Sequence, residues 1–508
     1  MMPSTSFSFS DIVPAILPVV LWSDVLIFLL IVSVSLFLIQ MRKNEQARKR
    51  WASVFESKVG MASFVIILFY IVVSLIDSLH YREALPMVYH ADNTATAVHV
   101  EKGAEQGAEK SITEQKIAYS SDVKSLLDVA LTRLRSSNEE TYSAPFALYS
   151  FTKENMTDEN GGIYRDYPRL ENGGSHLTHI DDRGWDIVWR SLWAILLGLV
   201  VIAVPVVLHL SWRKYRSHSR TKNHIITKNT ANKNSALPWH VAYITLGIIT
   251  VLGCWILCLS EYYHILGTDK VGSDVLYQSF KAIRTGVLIG TLATLVTLPL
   301  AIILGISAGY FKGWVDDVVQ YTYTTLSSIP SILLIAASVL LIDVYIETNS
   351  EQFNLTALRS DFKFLALCGI LGLTSWTSLC RLLRAETLKV SQLDYVQAAH
   401  AFGVSHVRVI GKHILPNLTH IVLIAIVLDF SMFVLAEAVL SYIGVGVDPD
   451  MYSWGNMINA ARSELALDPV VWWSVTSAFM LMFTLVLAAN LFSDEVRNAF
   501  DPRTAKGN

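Results

Sequence analysis

The sequence predicts an all-α integral membrane protein, and three observations carry that prediction. The 508 residues are 52% hydrophobic and only 16% charged, which is more apolar and less charged than an ordinary soluble chain. The apolar residues gather in blocks of about 20, the length that crosses a bilayer as a helix. Trp and Tyr flank several blocks, as in SEYYH (260–264) and VVWWS (470–474), and such residues favour the membrane interface. The net charge of −3 offers no basic field for nucleic acid, which is not expected as a partner.

Nine spanning helices are expected, at 22–40, 60–79, 187–210, 240–260, 283–308, 320–342, 364–380, 418–443 and 471–492. The first basic residue is Arg42. No positive region precedes the first apolar block, so it reads as a retained anchor and not a cleaved signal peptide. RKNEQARKR (42–50) holds five basic residues and one acid, and 211–233 is basic with no acid. Positive loops stay in the cytoplasm. Alternation then puts the N-terminus outside, and the C-terminus and residues 381–417 inside.

Four stretches follow from this map. Residues 1–79 hold two spanning helices. Residues 80–186 form an acidic external insert, and 187–238 a third span with a basic linker. Residues 239–508 form a six-helix unit with short connections, and 1–238 read as an addition to it. In the insert, Ser111 and Glu114 fit a capping box. Val123, Leu126, Leu127, Ala130, Leu131 and Leu134 recur at helical spacing, and Asn160-Gly161-Gly162 and Asn172-Gly173-Gly174 mark turns. The insert is expected to be a small, partly helical domain.

The stretch 394–417, DYVQAAHAFGVSHVRVIGKHILPN, is polar between two apolar blocks. Asp394 lies where a helix N-terminus favours negative charge. Ala398, Ala399 and Ala401 are strong helix formers and present a small face to an approaching surface. Gly403 suits a helix C-terminal cap. A second helical piece follows, and Pro416 is expected to end it before the next span. The loop therefore reads as a rigid helical projection, suited to transmitting force.

Gln397-Ala398-Ala399, Gly403, Leu415 and Pro416 stand in the register E-A-A-x3-G-x9-I-x-L-P, so the stretch resembles the EAA loop of ABC importer permeases. Gln397 replaces the family's Glu, and His413 replaces its Ile; HILPN at this place is similar to the peptide-type subgroup. HILGTDKVGSDV (264–275), AGYFKGWVDD (308–317), LAEAVLSYIGVGVDPDMYSWGNMI (435–458) and SDEVRNAFDPR (493–503) resemble the same subgroup in the same order. Ser273 stands where that subgroup has Arg. The resemblance covers about 239–508 and is strongest to the C-type subunit of dipeptide and oligopeptide permeases.

The resemblance implies a six-helix permease core in a bacterial inner membrane, with 80–186 periplasmic. It implies a homologous permease as partner, two ABC ATPases on the cytoplasmic side and a periplasmic solute-binding protein. The helix at about 394–403, with Asp394, Tyr395, Gln397, Ala398, Ala399 and Gly403, would enter a groove on one ATPase, with Pro416 closing the loop. ATP and Mg would be used by that ATPase. This chain would bind no cofactor and catalyse no reaction, and G-x4-G-K-[ST] does not occur in it.

Other residues carry weaker readings. Glu437 lies in the eighth span and could line the pathway or make a helix–helix hydrogen bond, with equal weight. Asp429 sits roughly 80° around the helix from it, so the two make no acid–base pair. Pro330 is expected to kink the sixth span, as part of a gate or as shape alone. Gly286/Gly290 and Gly305/Gly309 read as close-packing motifs. His406 and His413 lack further ligands at metal spacing and read as interface histidines. The basic stretch 211–233 could meet anionic lipid. Two rival functions are an ion-gradient transporter and a membrane sensor using 80–186. The first lacks inverted repeats and charge pairs in the sequence; the second lacks an output domain.

Overall fold

The computed structural model describes residues 16–42, 45–84, 119–120, 122–157, 162–221, 237–353 and 355–500. The N-terminal part holds α1 (Trp22–Arg42), α2 (Glu45–Glu56) and α3 (Lys58–Asp77), then short α4 (Leu126–Ala130) and α5 (Thr132–Ser136). A long α6 (Arg183–Thr221) leads to α7 (Trp239–Leu259) and α8 (Val275–Phe311). Next come α9 (Trp314–Ser328), α10 (Ser331–Thr348), α11 (Thr356–Val390), α12 (Asp394–Ala401) and α13 (His406–Val409). The chain closes with α14 (Leu415–Ile443), α15 (Trp454–Glu464) and α16 (Trp473–Phe500). Among the described residues, eight helices are long and apolar enough to cross a membrane, and Trp22–Leu36 is a shorter apolar helix.

Two expectations are corrected. Pro330 does not kink a span over 320–342; it separates two helices, α9 and α10. The residue before a proline is driven out of the α region, and Ile329 accordingly sits at φ −89, ψ 130. Pro416 does not end a helix either. Helical structure runs unbroken over His406–Ile443, with a π-helical turn at Ile410–Ile414 just before the proline. A widened turn is how a helix absorbs the missing N–H and the ring's clash with the preceding turn. The all-α fold class holds, with two short sheets added: a three-stranded one of Ile16–Val19, His80–Glu83 and Lys124–Ser125, and a hairpin of Glu154–Thr157 with Ile163–Asp166.

The insert is helical near where periodicity placed it, with Leu127, Leu131 and Leu134 buried. Its capping box is Ser125 with Asp128; Ser111 and Glu114 lie outside the described residues. Small residues let the long helices of the core meet. A Cβ on Gly305 would come 2.7 Å from the Cys380 carbonyl oxygen and one on Gly309 2.6 Å from Thr387 Cβ, so this pair seats α8 on α11. Gly286 likewise admits Trp454, and Gly290 admits Phe430. Both glycine pairs are therefore used for packing inside the chain.

Buried ion pairs join the stretches on either side of residue 238. Lys281 and Arg284 lie three apart on α8, hence on one face, and only 11% and 8% of their side-chain surfaces are exposed. Their counter-charges come from the N-terminal part. Arg284 Nη2 donates to Asp24 Oδ1 at 2.8 Å and to Ser23 Oγ at 2.9 Å. Lys281 Nζ lies 2.6 Å from Asp77 Oδ1 and 3.1 Å from Asp128 Oδ1. His80 Nδ1 is 2.9 Å from the second oxygen of Asp24. Ile27 of α1 packs in one apolar cluster with Leu288 and Leu292 of α8 and Phe364 of α11.

A second strut joins the insert to the α7–α8 connection. His264, 3% exposed, lies between Asp274 (Nδ1 to Oδ2, 2.7 Å) and Glu139 (Nε2 to Oε1, 3.1 Å). Glu139 also accepts the amides of Glu171, Asn172 and Gly173 at 2.9, 2.9 and 3.0 Å. Burial works against a charged imidazole, but the bonds to Asp274 and Glu139 outweigh it and lift the His264 pKa from 6.5 to about 9.

Two outcomes follow. Asp24→Ala leaves the buried Arg284 without its carboxylate and should destabilise the fold by roughly 3–5 kcal/mol; thermal unfolding of the full chain in detergent checks this, and an unchanged transition would show that the pair contributes nothing. Because the folded pKa of His264 is raised, its contribution is full below about 6.5 and is lost as pH rises through about 9. Unfolding transitions of wild type should therefore fall between pH 7 and 10, and those of His264→Gln should be flatter across that window.

Candidate functional site

The end of the bundle opposite the insert is built from the last turns of α8 and α11 and the first turn of α14, with α12 and α13 laid across them. One apolar cluster holds it. Val396, Val409 and Ile414 are fully buried with Ala308, Cys380 and Leu383, and Leu418 and Ile306 are nearly so. α12 thus hangs on Val396, with Ala399 and Val404 packed beside it.

The exit from α12 is fixed by backbone geometry. Gly403 has φ +74, in the left-handed region. Its N–H donates to His400 O at 2.9 Å, and Val404 N–H donates to Ala399 O at 3.1 Å. These two bonds are the paired closure of a Schellman cap, and the contact of Val404 with the cluster of Ala399 is its usual apolar companion. Any residue with a Cβ is strained at this φ.

A polar clasp then keys α12 and α13 to α8. The Tyr310 hydroxyl lies 2.7 Å from His400 Nε2 and 2.9 Å from His406 Nδ1. The Tyr310 and His400 rings stack at 5.5 Å between centroids. On the neighbouring side Arg384 of α11 grips Asp316 of α9 through both Nε and Nη2. The hydrogen bonds from Arg384 hold the Asp316 carboxyl below its ordinary pKa. The loop is therefore keyed to α8 by Tyr310, beside a second clasp that joins α9 to α11.

Asp394, Tyr395, Gln397 and Ala398 are exposed on α12. Asp394 sits in the first turn, where the helix dipole favours it. Asn417 Nδ2 donates to the Tyr395 hydroxyl at 2.9 Å, and Gln397 Nε2 folds back on the Gln392 carbonyl at 3.2 Å. Ala399 is half-buried, so the alanine face is divided: Ala398 and Ala401 look outward and Ala399 packs inward. Phe402 is 86% exposed and Val407 83%. Phe402 directly precedes Gly403 and gives the end of α12 an exposed apolar side chain. Pro416 is exposed beside it.

Glu437 and Pro330 lie away from this loop. Glu437, 1% exposed, accepts a 2.8 Å hydrogen bond from Ser441 Oγ, and a Cβ on Gly455 would reach within 2.7 Å of its Oε1. The missing Cβ at Gly455 lets α15 lie close to α14 beside this carboxyl. Among the described residues no cluster of three His, Cys, Asp or Glu could hold a metal ion. Sequence reasoning missed the Tyr310 clasp. Its trace was available: a tyrosine at the end of a span, and two histidines on either side of the capping glycine.

The binding-protein-dependent transport system inner membrane component family matches residues 301–506, a stretch that includes this whole site. The chain is 30% identical over 240 residues to the glutathione transport system permease protein of Pectobacterium atrosepticum, covering 47% of this chain and 73% of that one. It is 30% identical over 239 residues to the oligopeptide transport system permease protein of Mycobacterium bovis, covering 47% and 76%. With the dipeptide transport system permease protein of Lactococcus lactis it shares 28% identity over 243 residues, or 48% and 65%.

Gly403→Val should fray the end of α12. Forcing a β-branched residue into the left-handed region costs at least about 1–2 kcal/mol, enough to speed amide hydrogen exchange across 396–404 roughly tenfold. Exchange at the wild-type rate would show that the cap does not hold the helix.

Proposed function

From the premise that this chain belongs to the binding-protein-dependent inner-membrane permeases, we propose that it forms one half of the translocation pore of an ATP-driven peptide importer. The other half is a homologous permease, and two separate ATPases supply the work, using ATP and Mg. A periplasmic solute-binding protein delivers the cargo. The relatives are named for glutathione, oligopeptide and dipeptide transport, and a short peptide is the chemistry common to the three.

The observation that carries the proposal is the exposed tip of α12, with Ala398 outward and Phe402 beside a capped terminus. A large exposed aromatic on a braced helix fits a docking contact better than a solvated loop. The brace matters as much as the tip. Movement imposed on α12 passes through Tyr310 to α8 and through Val409 and Ile414 into α14, so closure of an ATPase pair becomes displacement of spanning helices. In this reading the α12 end faces the cytoplasm and the insert faces the periplasm.

Ala399 packs inward, so its replacement would disturb the chain as well as the contact. Phe402→Asp and Ala398→Asp are cleaner changes. With a tagged full chain extracted in mild detergent from its native host, a homologous permease and ABC ATPases should co-purify. Each Asp variant should lose about tenfold or more of the ATPase, equivalent to ~1.4 kcal/mol, while inserting normally and keeping the permease partner. A chain that purifies alone and moves solute without ATP would overturn the proposal.

A further inference from the structure

The break between α9 and α10 stands halfway up the bundle. α9 starts at the α12 end, where Arg384 of α11 holds Asp316. Further along, the Arg381 guanidinium lies over the Tyr323 ring, 5.0 Å from its centre. Beyond the break, Ile335 and Val339 share an apolar cluster with Leu367 and Leu371, and Lys363 Nζ lies 2.7 Å from Asp343 Oδ1. The two helices thus run antiparallel to α11, and Ile329-Pro330 falls opposite its middle turns. The 35 residues of α11 rise about 52 Å at 1.5 Å each. A hydrocarbon core of ~30 Å laid anywhere along that length includes its middle.

This level is polar and uncovered. Ser327, Ser328, Ile329, Pro330 and Ser331 are all exposed, and α11 exposes Ser378 near the same height. The backbone is interrupted as well: Ile329 is extended, and α10 starts after Pro330 without a side-chain cap. An interrupted helix leaves amides and carbonyls without intrahelical partners. Lipid tails cannot serve them, and non-helical backbone at membrane depth is tolerated only where protein buries it or water reaches it. Among the described residues nothing buries this stretch. A surface made for lipid has another character. Midway along α6, Leu196, Leu197, Leu199, Val200 and Val201 are exposed and wholly apolar.

We propose that Ser327–Ser331, with Ser378 of α11, forms the wall of a water-filled path through the membrane, along which a polar solute passes. Hydroxyls both donate and accept hydrogen bonds, which suits a solute rich in peptide groups. The stretch carries no charge, so it favours neither acidic nor basic side chains in that solute. The solute rests on the importer reading above; the water rests on the exposed break alone.

The test is cysteine labelling of the full chain in membranes of its native host. Ser327→Cys, Ser331→Cys and Ser378→Cys are each treated with a water-soluble, membrane-impermeant maleimide, with and without ATP. Leu199→Cys on α6 is the lipid-facing reference, and mass spectrometry locates the modified cysteine. Maleimides react with the thiolate, which forms in water and not in hydrocarbon, so the three wall positions should label at least about tenfold faster than Leu199→Cys in one of the two conditions. Serine to cysteine changes one atom, and uptake at the wild-type rate would show that each variant is folded. Labelling of Ser327→Cys and Ser331→Cys at the Leu199→Cys rate in both conditions overturns the proposal, since lipid or a closely packed partner helix then covers the break. Labelling reads only the access of water, so its failure leaves the co-purification test of the transport reading untouched.

Discussion

Two positive charges on one face of α8 constrain the whole molecule. Lys281 and Arg284 are nearly covered, and buried charge is tolerated only when it is paired and hydrogen-bonded. The acids that pair with them stand on α1, at the end of α3 and on α4. The first helix, the sheet and the insert are consequently held at fixed positions around the start of α8. The sheet is drawn in as well: His80 opens its middle strand and touches Asp24, so electrostatics and strand pairing favour the same arrangement.

The opposite end of the bundle is governed by packing and backbone geometry. Val396, Val409 and Ile414 are wholly buried there, and Gly403 sets the direction in which the chain leaves α12. Tyr310 adds polar bonds where the apolar cluster gives way to solvent. One end of α8 is therefore fastened by ions and the other by a capped helix and a shared hydroxyl. The long helix between them is close-packed on α11 through Gly305 and Gly309.

Much of this was legible in the sequence because it is local. Spans declare themselves by length and apolarity, the cap of α12 by a glycine after an alanine-rich run, and close helix contacts by paired glycines. The features that were not legible depend on partners far away in the chain. Asp24 is 260 residues from Arg284, and Asp77 is 204 from Lys281; no periodicity reveals such a pair. Proline was read in the right places with the wrong consequence. At Pro330 the outcome turned on Ile329 adopting an extended conformation, and at Pro416 on a π-helical turn that kept the helix whole. In the candidate site the alanines and the glycine were visible in the sequence, but the division between Ala398 outside and Ala399 inside requires knowing which side meets the core.

The origin of the counter-charges also sets an order of manufacture. A buried Arg or Lys is costly unless it is paired, and a chain is made from its N-terminus. Asp24, Asp77 and Asp128 all precede Lys281 and Arg284 in the sequence. When α8 emerges from the ribosome, the carboxylates that will receive its cations have already been translated. Each of these cations therefore has its carboxylate partner already made when it is added to the chain.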